Sequence, residues 1–220
     1  MQNYITNKRE LKKGNFLTHS AINIVVKDHL LFDLDIEDLE RVIDIFPKDI
    51  TRNIDYIIFG NFDFLRKQNY NAAYKDGAIY VSNNQEGNHD VLDDIVHEIG
   101  HSVEDNYGNL VYGDGFLERE FIKKRMLLDV EFRKEGITIP KEKMINPEYD
   151  QNLDLFFSQE IGYPRMTAMV QGIFYSPYGA TSLKEYFANG FEAHYYHKDI
   201  YLQKISPVLH SKLVELEENA

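Results

Sequence analysis

Residues 91–103 read VLDDIVHEIGHSV, and this stretch decides how the rest of the chain is read. Val91, Ile95, Ile99 and Val103 recur every fourth residue, the spacing of one apolar stripe on a helix that should close near residues 106–108. His97 and His101 share that spacing and stand one above the other, so both imidazoles can reach a single ion about 2 Å away. Glu98 falls roughly a quarter-turn round the helix, beside such an ion, where it can take a proton from a bound water. Gly100 costs about 1 kcal/mol against Ala at mid-helix, which makes sense where another element packs closely. The pattern is His-Glu-x-x-His, and it predicts a site for one zinc ion.

Two histidines do not complete such a site, because catalytic zinc takes three protein ligands and keeps one position for water. The chain has no cysteine, so the third must be His, Asp or Glu. The extended motif HExxHxxGxxH does not continue here, since Glu104 and Tyr107 stand at its Gly and third His positions. The ligand is therefore expected downstream, and residues 182–196 (SLKEYFANGFEAHYY) are the best source. Glu185 opens that helix, with Phe187, Ala188 and Phe191 as its packing face. Glu192, His194 and His197 lie further along, where the helix would leave the metal, and read as a solvated helix end.

Ahead of the histidine helix the chain alternates between strands and a helix. Residues 21–26 (AINIVV), 54–59 (IDYIIF) and 78–82 (AIYVS) read as strands, the last entered through the Asp76-Gly77 turn. Residues 36–46 place Ile36, Leu39, Ile43 and Phe46 on one helical face, and Pro47 stops it. Beyond the histidines only helices are expected: 116–134, 153–174 with a break near Gly162-Tyr163-Pro164, 182–196, and 201–217 with Pro207 as a kink. Residues 137–150 read as a loop. Strands first and helices afterwards indicate α+β. With no repeat or low-complexity linker, residues 1–220 read as one domain, an α/β part (1–88) followed by a helical part (89–220).

Composition narrows the function. Twenty-four Lys and Arg against 36 Asp and Glu leave a formal net charge of −12, which repels phosphate backbones and anionic lipid. Nucleic-acid and membrane-surface partners are therefore not expected. The basic stretches 8–13 and 123–125 read as solvated faces. No apolar run reaches the length of a membrane span or leader, so a cytoplasmic location is the expectation, with a virion-associated protein or leaderless export as the alternatives. An apolar content of 43%, with 14 Phe and 15 Tyr, fills a core. Oligomeric state is not legible.

HEIGH followed by Ser102-Val103-Glu104-Asp105, then Tyr178-Gly179 and Glu185-Tyr186-Phe187-Ala188, resembles the catalytic domain of anthrax lethal factor and the related Pro-Pro endopeptidases. The resemblance implies a zincin-like metallopeptidase fold, with a small N-terminal mixed sheet, an active-site helix and a helical C-terminal half. It implies His97, His101 and Glu185 as zinc ligands, Glu98 as general base and Tyr178 as the donor to the tetrahedral oxyanion. It also implies a peptide substrate lying extended along an edge strand, for which residues 78–82 are placed in sequence. Two departures stand out: His101 and Glu185 are 185 − 101 = 84 residues apart, longer than is usual in that family, and Asn189 replaces the acidic residue often found four after the ligand Glu. Glu185-x-x-Ala188-Asn189-x-Phe191 is also similar to the ligand helix of ImmA/IrrE peptidases, an alternative with the same zinc chemistry. A non-catalytic module in which the metal only ties helices together is the other alternative.

Overall fold

The computed structural model of the chain describes residues 11–220, and the architecture is α+β. Two compact units meet in the chain after Ser102: Met1–Ser102 and Val103–Ala220. Of the basic stretch 8–13, residues 8–10 lie outside the described residues. Among the described residues no helix is long and apolar enough to cross a membrane.

The first unit carries a mixed five-stranded sheet of β1 (Gly14–Leu17), β2 (Asn23–Val26), β3 (Tyr56–Gly60), β4 (Ala72–Lys75) and β5 (Ala78–Ser82), in the order β1-β2-β3-β5-β4. Strands β2, β3 and β5 run parallel, and the two outer strands are antiparallel to their neighbours. In the parallel centre, Ile24, Ile57 and Ile79 align in one row and Val26, Phe59 and Val81 in the next. All six are buried, as expected of central strands in a parallel sheet. On the other face Tyr80 meets Phe62 and Phe64 edge-on, at 5.2 and 5.4 Å between ring centroids. Helices α1 (Ile36–Ile43), α2 (Lys48–Thr51) and α3 (Asp63–Gln68) fill the connections.

This order corrects the expectation for residues 78–82. Strand β5 pairs with β3 on one side and β4 on the other, so it has no free edge. On this side of the sheet the edge strand is β4, which the sequence reading left unassigned; β1 forms the opposite edge. The reason is the turn: Asp76 (φ 50°) and Gly77 (φ 76°) both adopt the left-handed conformation of a two-residue hairpin, which folds residues 72–75 back alongside β5.

Helix α4 (Asn88–Tyr112) is longer than its stripe predicts. It runs through Gly108 and stops at Gly113, whose N–H reaches Asn109 O at 2.8 Å. Burial of Val111 and the packing of the Tyr112 ring against Phe187 (6.0 Å) outweigh the cost of a mid-helix glycine.

The second unit is helical: α5 (Phe116–Lys134), α6 (Lys141–Met144), α7 (Gln151–Leu155), a π-helical turn (Phe156–Gly162), α8 (Tyr163–Val170), a 3-10 turn (Tyr178–Ala180), α9 (Leu183–Tyr195), α10 (Leu202–Ile205) and α11 (Pro207–Asn219). The expected break falls at Gly162 (φ 83°), and Pro207 opens a separate helix rather than kinking one. Helix α5 turns Leu117, Phe121, Leu128 and Phe132 inward, where Phe121 meets Tyr186 and Phe174, and Phe132 meets Phe157. Helices α9 and α11 cross at Gly190, where an added Cβ would lie 2.2 Å from Leu209 Cδ2 and 2.8 Å from its Cγ. Gly190→Ala should therefore reverse the usual helical gain and lower stability by about 1–3 kcal/mol, read as a fall in the urea midpoint.

Lys124 and Arg125 overturn the solvated reading of residues 123–125, for both are buried. Arg125 lies over the Phe121 ring and donates to Asn146 O at 2.7 Å, tying down the loop before α7. Lys124 donates to Ile173 O and, at 2.6 Å, to Ile205 O. Burial pulls its ammonium from the usual 10.5 down to about 8, against the opposing pull of Glu120. The unfolded chain keeps that proton to higher pH than the folded one, so stability should rise between pH 8 and 10, by about 2–3 kcal/mol. Urea midpoints at pH 7.5 and 9.5 read the effect, and Lys124→Met should remove the rise.

Candidate metal centre

Helix α4 supplies the first part of the site. His97 and His101 sit on one face, with ring centroids 5.0 Å apart and planes 75° to one another. Between them Glu98 is buried (9% exposed), and its Oε2 accepts the main-chain N–H of Tyr74 on β4 at 2.6 Å. Tyr74 and Tyr80 thus take different places. Tyr74 stands opposite Ile79 on the edge strand and contacts the predicted base through its backbone, whereas Tyr80 packs in the aromatic cluster.

Helix α9 carries Glu185 in its first turn. Ser182 caps the helix by accepting Glu185 N–H at 3.2 Å, and the helix dipole favours a carboxylate there. Its neighbour Lys184 pairs with Glu104 at 2.9 Å. Glu104 follows His101 by three residues, on the face of α4 that bears both imidazoles. Tyr112, further along, has its phenol pKa pushed well above the usual value, first by burial, then by the charge of Glu104 and finally by that of Glu185.

Tyr178 opens the 3-10 turn before α9. Thr181 Oγ1 donates to Tyr178 O at 2.7 Å, and Gly179 sits so close to Asn189 that a Cβ would lie 3.0 Å from its Oδ1. That oxygen accepts Ser176 Oγ–H at 2.8 Å, which pins the Tyr178 turn to α9. Ser176, which the sequence reading does not single out, holds the turn that carries Tyr178, and only its proximity to Tyr178 hinted at it. The remaining candidates are partnered elsewhere: His194 Nε2 with Glu217 Oε1 at 3.1 Å, and His197 Nε2 with Glu192 Oε1 at 3.0 Å.

Fold and site together define an α+β chain with two imidazoles and an adjacent buried carboxylate on one unbroken helix. No family model, curated protein or solved structure matches the chain.

Proposed function

We propose that the protein is a zinc-dependent endopeptidase of zincin type, with His97, His101 and Glu185 as the metal's ligands. The supporting observation is the pair of imidazoles on one face of α4, ring centroids 5.0 Å apart, with the buried Glu98 carboxylate beside them; Glu185, in the capped first turn of α9, is the carboxylate proposed to complete the set. Two imidazoles and one carboxylate are a donor set that suits zinc and leaves a fourth position open. Bound there, zinc would supply a Lewis acid and a water acidic enough to attack at neutral pH.

The chain's own residues do the rest. Glu98 takes the proton of the attacking water and delivers it to the leaving amine. The Tyr178 hydroxyl donates to the oxygen that becomes negative as the carbonyl is attacked. An extended peptide pairs its main chain with the outer edge of β4 beside the Tyr74 N–H that Glu98 already holds, and gains affinity that depends little on its sequence. The test is a peptide-library digest by the zinc-loaded chain: cleavage that a chelator stops supports this reading, and bound zinc with no cleavage across the library contradicts it.

A further inference from the structure

We propose that the main-chain N–H of Tyr74 is a positioning group for Glu98, an outward-facing donor of the sheet edge given over to the base. The register of the β4–β5 hairpin supplies the first part of the case. Ser82 N–H donates to Asn71 O at 2.7 Å, which makes 71 and 82 a hydrogen-bonded pair. The alternation of an antiparallel ladder then assigns Ala73 with Tyr80 and Lys75 with Ala78 to hydrogen-bonded pairs. Tyr74, opposite Ile79, falls in a non-hydrogen-bonded pair, so its N–H points off the free edge.

An outward N–H on an edge strand ordinarily goes to water or to a passing strand. Here the buried Glu98 carboxylate takes it at 2.6 Å, a short bond to a charged acceptor. Glutamate is a side chain of three torsions, and one oxygen held to a sheet removes most of that freedom. Oε2 is thereby engaged by the strand, and Oε1 is the oxygen left to carry the proton. The same strand that would receive substrate thus aims the base, which couples the alignment of the peptide to that of the carboxylate.

The catalytic meaning of this bond rests on the peptidase reading, but the bond itself does not, and two measurements separate them. In the ¹⁵N-labelled full chain, the Tyr74 amide proton should resonate downfield of its strand neighbours and move upfield in Glu98→Ala. A resonance that Glu98→Ala leaves in place overturns the proposal, whether or not peptides are cleaved. For the rate, Tyr74→Pro deletes the donor at an edge position where the sheet makes no use of it, and Tyr74→Ala keeps it. With a peptide that the wild type cleaves, kcat should fall about tenfold further in Tyr74→Pro than in Tyr74→Ala, at equal zinc content. Equal kcat values overturn the positioning role. If the proline variant fails to fold, replacing the Tyr74 amide by an ester removes the same proton and is held to the same comparison. A wild type that cleaves nothing, with the amide shift as expected, contradicts the peptidase reading and leaves the bond standing.

Discussion

Glu98→Gln is expected to retain zinc and to lose peptide hydrolysis by about 10²–10⁴-fold, the usual contribution of a general base. The substitution is conservative in shape. Its amide oxygen can still accept Tyr74 N–H, so the contact at 2.6 Å between helix and strand has a replacement. What it lacks is basicity, since a carboxamide cannot take the proton of an attacking water at neutral pH. The two imidazoles, one residue before and three after, keep their places on α4. The loss should therefore appear in kcat, on casein or a peptide pool, with the metal content of wild type. A variant that cleaves at the wild-type rate contradicts the assignment of Glu98. A variant that loses zinc as well shows that Glu98 helps hold the metal.

Glu185→Ala should weaken zinc binding by more than about 100-fold, exceeding the 10–100-fold typical of residues that only support a ligand. The loss should extend to stability. A metal that binds only the folded chain stabilises it by about 4 kcal/mol at a thousand times its Kd. Zinc should thus raise the melting temperature of wild type and leave that of Glu185→Ala nearly unchanged. Lys184→Ala is the control. Its pair with Glu104 has a largely exposed lysine, the kind of ion pair that contributes little, so zinc binding should survive its loss. If Glu185→Ala and Lys184→Ala bind zinc equally well, Glu185 is not a ligand.

The helices that carry the candidate ligands were legible because their signals are local. The fourfold stripe from Val91 to Val103 predicts the histidine helix, and Ser182 three residues before Glu185 marks where α9 begins. The end of α4 was not, because Tyr112 is held by Phe187, 75 residues away in sequence, and no local pattern announces that contact. The short β4, with two alanines among its four residues, carries almost no strand signal, and only the hairpin turn reveals it. For the same reason the neighbouring strand passed for the edge. Lys124 and Arg125 look like a charged surface in sequence, since nothing there shows that carbonyls of Ile173, Ile205 and Asn146 will receive them. Glu98 could be read as a base from its spacing, but not the backbone donor that holds it.

The most direct measurement is the zinc content of the purified full-length chain, by elemental mass spectrometry after desalting, with Glu185→Ala and His101→Ala in parallel. One zinc per wild-type chain, and a small fraction of that in either variant, is the expected result. A wild type that emerges without transition metal and takes up none from added zinc, or a Glu185→Ala variant that keeps a full equivalent, would contradict the metal centre.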